Sequence, residues 1–143
     1  MRRIVIDTNV LISFVTERSP LQQALVVPLF EEISRGRCNI ICPNNVLAEF
    51  AYVLNRVYAM PKHDVAAMLK EFIALPGVTM VGEISFDQLF YLWPDEIPEY
   101  CDAVVAAVAK KTKGSLVATF NKKMGAALER LHIPLYVWTQ ESR

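Results

Sequence analysis

The sequence predicts an α/β fold, a three-layer α/β/α sandwich built on a five-stranded parallel sheet. Short apolar runs rich in β-branched residues alternate with helical stretches of about 10 to 15 residues, the pattern of strands joined by crossover helices. The 143 residues are 53% hydrophobic and 21% charged, which suits one domain with a sizeable core. No linker, repeat or low-complexity segment interrupts the chain, so residues 1–143 are expected to form a single domain.

The first elements are a strand and two helices, predicted over residues 3–6, 9–14 and 21–35. The strand is short, apolar and β-branched, as expected for a strand buried on both faces. The second helix is expected to close near Gly36, because glycine is common just after the last helical residue.

The middle of the chain supplies two helices between two strands, predicted over residues 39–42, 43–58, 61–74 and 78–81. Pro43 favours a helix start there, since the first turn of a helix does not use that backbone N–H. Pro76 and Gly77 stop the second helix before the third strand begins.

The last elements alternate helix and strand, over residues 85–94, 99–113, 115–119, 122–131 and 135–138. Ser85 and Gln88 have the spacing of a capping box, which opens the first of them. Gly114 ends the next helix after a lysine-rich last turn that the helix dipole favours. The fifth strand completes the predicted sheet.

Several classes of protein are excluded by composition. No apolar run approaches the roughly 18 residues of a membrane span, and Asp7 and Asn9 interrupt the N-terminal segment too early for a signal peptide. The odd cysteine count, Cys38, Cys42 and Cys101, gives no disulfide framework and no zinc pattern. Free, mostly buried thiols fit a reducing compartment, so a cytoplasmic location is expected.

Charge is unevenly distributed although the net charge is zero. Residues 81–109 contain six acids and no Lys, Arg or His, whereas residues 110–123 contain five lysines and no acid. One interpretation is a solvated surface with uneven charge. The other is an acidic pocket beside a basic rim, which suits a cation bound between carboxylates and a phosphate backbone.

Two polar residues follow predicted strands. Asp7 ends the first strand and Asn121 lies just past the fourth, and open parallel sheets bind ligands beyond the carboxyl ends of their strands. If those strands are neighbours, the two side chains share one crevice. The alternative for each is an ordinary helix cap, and for Asn121 the cap is the better-supported interpretation.

Two further acids approach the predicted core. Glu49 lies on or beside the apolar stripe of its helix, which is formed by Val46, Phe50, Val53 and Val57. A carboxylate there is costly unless it is paired, protonated or metal-bound, and Arg56 or Arg37 is the alternative partner. Asp102 heads the apolar run DAVVAAVA, where its alternative role is to offset the helix dipole.

A metal ion reconciles these acids. Three carboxylates gathered in one crevice repel one another and raise each other's pKa, and a divalent cation removes that conflict. A set of oxygen ligands favours Mg²⁺ or Mn²⁺.

The chain resembles the PIN-domain family. The similarity lies in IVIDTNVLIS at the N-terminus, Glu49 within VLAEFAYVL, Asp102 within CDAVVAAVAKKTKG, and LVATFN, and it spans nearly the whole chain. Length and single-domain build are most similar to the toxin subunits of type II toxin–antitoxin systems, the VapC-like group.

The resemblance implies a metal-dependent endoribonuclease, a hydrolase of RNA phosphodiester bonds. It implies that the catalytic, metal-ligating acids are Asp7, Glu49 and Asp102. It also implies accompanying polar positions at Thr8, Asn9 and Thr119. The cofactor would be Mg²⁺ or Mn²⁺, and the partners an RNA substrate, a small antitoxin and a second copy of the chain. Backbone contacts to the RNA are expected from Lys110, Lys122 or Lys123.

One position departs from the family pattern. Asn121 stands where many relatives carry a fourth acid, so its amide oxygen is expected to serve as an uncharged metal ligand. A catalytically weak or inactive protein that binds RNA or a protein partner is therefore the alternative function. A haloacid-dehalogenase-like phosphatase is disfavoured, because it requires a second Asp where Asn9 stands.

An aromatic cluster precedes Pro94, formed by Phe86, Phe90, Tyr91 and Trp93. A packed lid or a dimer contact is the favoured interpretation over base stacking.

Overall fold

The computed structural model of the protein describes residues 1–139. Its sheet consists of four parallel strands, β1 (Arg2–Ile6), β2 (Cys38–Pro43), β3 (Val78–Val81) and β4 (Ser115–Ala118). Their order across the sheet is β3-β2-β1-β4. The first and fourth strands are therefore neighbours, with Ile6 paired with Ala118 at their carboxyl ends.

Seven helices within the described residues flank this sheet. They are α1 (Thr8–Val15), α2 (Pro20–Ser34), α3 (Asn44–Arg56), α4 (Lys62–Ala74), α5 (Phe86–Leu92), α6 (Tyr100–Lys111) and α7 (Lys122–Arg130). Each lies within two residues of its predicted bounds. The predicted α/β fold, with a parallel sheet between helices, is confirmed.

The prediction of a fifth strand is wrong for the described residues. The segment after α7 meets β4 only through a single bridge between Val117 and Leu135. In a continued parallel ladder, the Thr119 N–H would donate to the Tyr136 carbonyl, and the backbone N–H of Trp138 would then donate to the carbonyl of Thr119. The indole Nε1 of Trp138 donates to that carbonyl instead, at 3.1 Å. A side chain therefore takes the place of the backbone donor, and the ladder stops after one bridge.

The core lies on both faces of the central strands. Ile4, Val5 and Ile6 of β1 have no solvent exposure, and α6 is buried continuously from Ala103 to Ala109. A strand buried on both sides, with an almost wholly buried helix against it, places Asp7 at the rim of the hydrophobic core.

The cysteine prediction is confirmed for the thiol state. Cys38, Cys42 and Cys101 are all free, the first two buried and the third half-buried. Among residues 1–139, none of the helices has both the length and the hydropathy to cross a bilayer.

Candidate metal centre

Asp7 begins the site. It follows β1 directly, its backbone N–H bonds to the carbonyl of Ala118 on β4 at 3.0 Å, and it is the N-cap of α1. The predicted cap role is therefore real. Only one carboxylate oxygen serves it, because Oδ1 accepts the N–H of Thr8 at 2.8 Å while Oδ2 faces the neighbouring strand.

The second oxygen of Asp7 is held across the sheet. Oδ2 accepts from Thr119 Oγ1 at 2.7 Å and from Asn9 Nδ2 at 3.0 Å. Asn9 Oδ1 in turn accepts the backbone N–H of Phe120 at 3.0 Å. These bonds join the start of α1 to the segment after β4, more than a hundred residues away in sequence. The carboxylate is therefore fixed in orientation before any ligand arrives.

Burial works against the charge on Asp7. Desolvation raises the pKa of this buried carboxyl above its usual value, and repulsion from Glu49 adds to the rise. The hydrogen bonds from Thr119, Thr8 and Asn9 oppose it. The result is an oriented carboxylate whose charged form a neighbouring cation would stabilise.

Glu49 lies at the edge of the buried face of α3. Its side chain is half-buried, and the fully buried positions of the helix are Val46, Phe50 and Leu54. Neither predicted arginine partner reaches it. Arg37 pairs with Glu32 at 3.0 Å, and the guanidinium of Arg56 lies 5.9 Å from the centroid of the Tyr52 ring. Within residues 1–139, Glu49 forms no salt bridge.

Asp102 occupies the first turn of α6, so the dipole interaction that the sequence allows is present. Its pKa is nevertheless raised to about 6, first by desolvation and then by repulsion from Asp7, Glu49 and Glu99. Desolvation by burial raises the pKa of the neighbouring Cys101 thiol, and repulsion from Glu49, Asp102 and Asp7 adds to the rise. Their fields overlap in one region at the carboxyl edge of the sheet.

This region fits a hydrated cation better than a dehydrated one. In the described part of the chain, no three His, Cys, Asp or Glu side chains converge tightly enough to enclose an ion by themselves. Mg²⁺ usually keeps several waters and needs only one or two carboxylates directly. An all-oxygen donor set whose members repel one another suits that mode of binding.

Orphaned polar atoms adjoin the same acids. Three buried side-chain polar atoms have no hydrogen-bond partner in the described residues, and two of them are Thr8 Oγ1 and Asn45 Oδ1. Such atoms cost about 1–3 kcal/mol each unless a partner satisfies them. Asn45 was missed from the sequence. Its Nδ2 donates to the Cys101 carbonyl at 3.4 Å, and its place four residues before Glu49 put it on the same helix face.

Asn121 is exposed and caps α7. Its Oδ1 accepts the backbone N–H of Met124 at 3.1 Å, and its own N–H bonds to Thr119 Oγ1 at 3.0 Å. The structure thus shows the cap interpretation directly. Asn121 reaches the Asp7 network through Thr119.

The lysines fall into two groups. Lys122 and Lys123 begin α7, next to Asn121 and the carboxyl edge of the sheet. Lys110 lies in the last turn of α6, eight residues or roughly 12 Å along the axis from Asp102, with its Nζ 4.6 Å from the centroid of the Tyr91 ring. The structure therefore brings Lys122 and Lys123, but not Lys110, to the acidic region.

Comparison with known proteins identifies relatives of this chain. The PIN domain model matches residues 4–128. No curated protein sequence matches the chain significantly. Similar solved structures include VapC20 of Mycobacterium tuberculosis, described as a sarcin–ricin loop cleaving toxin, at 20% identity and a TM-score of 0.65 over 87% of this chain and 94% of that one.

Two other structures share the fold. A domain of a functionally unknown protein from Methanocaldococcus jannaschii is 20% identical, with a TM-score of 0.56 over 100% of this chain and 95% of that one. The PIN domain endonuclease Utp24 is 15% identical, with a TM-score of 0.50 over 90% and 78%. At such identities these structures show the fold alone. The match over residues 4–128 shows more, and on that evidence the chain belongs to the PIN-domain family.

Proposed function

We propose that the protein is a metal-dependent endoribonuclease and the toxin of a type II toxin–antitoxin pair. The observation that carries the proposal is the placement of Glu49 and Asp102 beside the oriented, buried carboxylate of Asp7, where the three acids repel one another. A chain keeps such a conflict at a crevice when a cation resolves it. Family membership and the VapC20 fold support the choice of RNA cleavage.

We assign separate roles to the residues that hold the metal, orient Asp7 and bind the RNA. Asp7, Glu49 and Asp102 would hold Mg²⁺ or Mn²⁺, with Asn121 as an uncharged oxygen at the margin. When bound, the ion would supply a more acidic water and neutralise charge on the scissile phosphate. Thr119 and Asn9 keep Asp7 oriented through its Oδ2. Lys122 and Lys123 would bind the RNA backbone.

The test compares acids in the centre with acids outside it. Glu49→Gln and Asp102→Asn should reduce cleavage of a labelled single-stranded RNA in Mn²⁺ by roughly a hundredfold or more, because each removes a ligand charge. Exposed acids provide matched controls, Glu71→Gln on α4 and Asp95→Asn before α6, and these should keep full activity. EDTA should abolish the wild-type rate. Full activity of both Glu49→Gln and Asp102→Asn would contradict the proposal.

A binding protein without catalysis is the second candidate. It is favoured because, within residues 1–139, no three acids converge tightly enough to enclose an ion by themselves, and because the Asn121 oxygen serves as a helix cap. Titration of Mn²⁺ by calorimetry separates the two functions. Metal binding without RNA cleavage under any divalent ion would select the binding protein.

We further propose that the protein forms a homodimer through the outer face of α5. Phe86, Phe90 and Tyr91 are 61%, 61% and 67% exposed, so the cluster is not a packed lid. Asp87 lies in the first turn of the same helix and Lys110 lies against the Tyr91 ring, so charged groups of both signs border the exposed rings. Wild type should elute as a dimer in light-scattering chromatography and Phe90→Glu as a monomer, whereas Tyr52→Glu, an equally exposed aromatic on α3, should not change the mass. A dimeric Phe90→Glu variant would exclude this face.

The remaining partner is a small antitoxin encoded with the toxin. Co-expression with the adjacent reading frame should yield a complex that lacks ribonuclease activity. Free Cys38, Cys42 and Cys101 fit a reducing compartment, and we propose that the pair acts in the cytoplasm.

A further inference from the structure

A cavity of about 420 Å³ opens beside β4 and α7, next to the acidic centre. We call it the β4–α7 cavity, and its main lining residues are Phe120, Lys122, Gly125, Glu129, Leu135 and Trp138. Thr119 and Asn121 form the side nearest the centre. Because Thr119 Oγ1 lies 2.7 Å from Asp7 Oδ2, the cavity begins one residue from the proposed metal ligand.

One wall of the cavity is aromatic and rigid. The rings of Phe120 and Trp138 stack with centroids 4.4 Å apart and planes 19° from parallel. The indole is fixed by its hydrogen bond to the Thr119 carbonyl and by the edge-on ring of Tyr136 at 4.8 Å. Phe120 and Trp138 are only half-buried, so ring surface remains open to a flat ligand.

Gly125 lies at the floor of the cavity, although its backbone conformation does not require a glycine. A Cβ built on Gly125 would meet only Leu135 Cδ1, at 3.9 Å, an ordinary contact, and its φ is not in the left-handed region. Glycine inside a helix costs about 1 kcal/mol relative to alanine. Gly125 therefore leaves space above α7 at some cost to the helix.

The polar groups around the cavity complement a nucleotide. Lys122 is exposed at the first position of α7, where its ammonium group and the positive end of the helix dipole favour a phosphate. Glu129 supplies a carboxylate that can accept N–H groups from a base edge. A stacking wall with one cation is the pattern that binds single-stranded nucleic acid. The volume suits one nucleotide and is too small for a helix of a partner protein.

We propose that the β4–α7 cavity holds one unpaired nucleotide of the RNA, its base stacked on Trp138 and its phosphate beside Lys122. This inference rests on the proposed ribonuclease function and assigns a substrate subsite to it. The cavity would determine the position of the RNA chain relative to Asp7. Trp138 and Gly125 are then specificity-determining residues that lie outside the acidic centre.

The decisive test fills the cavity without weakening the helix. Gly125→Leu places a large side chain in the space, and Gly125→Ala is the matched control because both changes improve helix propensity. Binding of a fluorescent single-stranded RNA is measured by anisotropy in EDTA, where no cleavage occurs. Gly125→Leu should weaken binding by roughly tenfold or more, the loss expected for one stacked base, and Gly125→Ala, whose methyl group fills less of the space, should weaken it by a smaller factor.

A second readout reports stacking directly. The chain has two tryptophans, so in a Trp93→Phe background Trp138 is the only indole, and RNA should quench its fluorescence. In the Trp93→Phe/Gly125→Leu variant the quenching should disappear. Equal RNA affinity of Gly125→Leu and wild type, or an unquenched Trp138 at saturating RNA, would overturn the subsite.

The two proposals fail differently. If Glu49→Gln abolishes cleavage while Gly125→Leu binds and cleaves as wild type, the ribonuclease stands and the subsite falls. If Gly125→Leu loses RNA binding while Glu49→Gln and Asp102→Asn leave the chemistry unchanged, the subsite stands and the metal centre falls.

Discussion

At the residue scale, the site depends on how one carboxylate is held. Asp7 is bonded through both oxygens to three different groups of the protein. An Asn at this position would present an NH₂ group either to the N–H of Thr8 or to the donors at Oδ2. Asp7→Asn therefore introduces a donor–donor conflict in either orientation. For this reason Glu49→Gln and Asp102→Asn are the cleaner tests of charge in the centre.

Thr119 is the residue whose loss should disturb this arrangement most. Its hydroxyl donates to Asp7 Oδ2 and accepts from Asn9 Nδ2 and from the Asn121 N–H. Thr119→Val keeps the shape and removes all of these bonds, so the free energy of unfolding should fall by about 1–3 kcal/mol. Urea unfolding measures it. Thr112→Val, which loses one bond to the Val108 carbonyl at the end of α6, is the control and should change stability by less than about 1 kcal/mol.

The raised pKa of Asp102 predicts a pH dependence of stability. The carboxyl has a pKa of about 6 in the folded chain and a reference value of 3.8, so the folded state binds more protons between about pH 4 and pH 6. The free energy of unfolding of the metal-free protein should therefore fall as the pH rises through this window. Asp7, whose pKa is also raised, acts in the same direction.

The variant Asp102→Asn tests this dependence. It should flatten the decline and raise the melting temperature at pH 7.5 by a few degrees, with little change at pH 4. Asp95→Asn, at an exposed position, should follow the wild-type curve. Parallel pH profiles of wild type and Asp102→Asn in EDTA would contradict the assignment.

At the element scale, most boundaries follow from local signals. Ser85 caps α5 by accepting the N–H of Gln88 at 3.3 Å, as its spacing predicts. The reciprocal half of the capping box does not form, because Gln88 Oε1 is buried without a partner. Gly36 and Gly114 follow α2 and α6 with φ of 71° and 73°, the left-handed conformation that closes helices.

Asn121, at the start of α7, is both a helix cap and a proposed metal ligand, and substitutions can separate the two roles. Asn121→Ala removes the side-chain bond to the Met124 N–H and should lower the free energy of unfolding by about 1 kcal/mol. Asn121→Ser keeps a capping oxygen and should be close to wild type. Asn121→Asp keeps the cap, adds a charge that the helix dipole favours, and should tighten Mn²⁺ binding in calorimetry. Unchanged Mn²⁺ affinity of Asn121→Asp would place this position outside the metal centre.

At the scale of the whole molecule, binding and stability are linked. The described part of the chain places three repelling acids at one edge of the sheet, so a cation that relieves the repulsion stabilises the folded state. Mn²⁺ at a hundredfold excess over its dissociation constant should add about 2.7 kcal/mol to the free energy of unfolding. Scanning calorimetry should show a saturating rise in melting temperature that Glu49→Gln reduces and Glu71→Gln retains. An equal rise in Glu49→Gln would remove Glu49 from the site.

The charge pattern is also decided by the whole fold. The lysines of residues 110–123 form one cluster in sequence but two in space, because α6 ends and α7 begins at opposite edges of the sheet. Only the pair at the start of α7 adjoins the acids. The predicted basic rim is therefore narrower than the sequence pattern suggests.

The amino-acid sequence was enough to predict the alternation of strands and helices, the ends of most helices and the family. It also singled out the acids Asp7, Glu49 and Asp102 as residues out of place in apolar surroundings. These follow from periodicity, capping and local hydropathy, which act over a few neighbouring residues. A buried charge is visible in sequence because its apolar neighbours are next to it.

The partner of each polar group follows from the packing of elements that are distant in sequence. The bond from Thr119 to Asp7 spans 112 positions and exists because β4 pairs with β1. The same long-range packing turned the Trp138 indole onto the Thr119 carbonyl, which ended the expected fifth strand and shaped the β4–α7 cavity. Sheet order and side-chain competition for one carbonyl depend on residues far apart in the chain, and no local pattern encodes them.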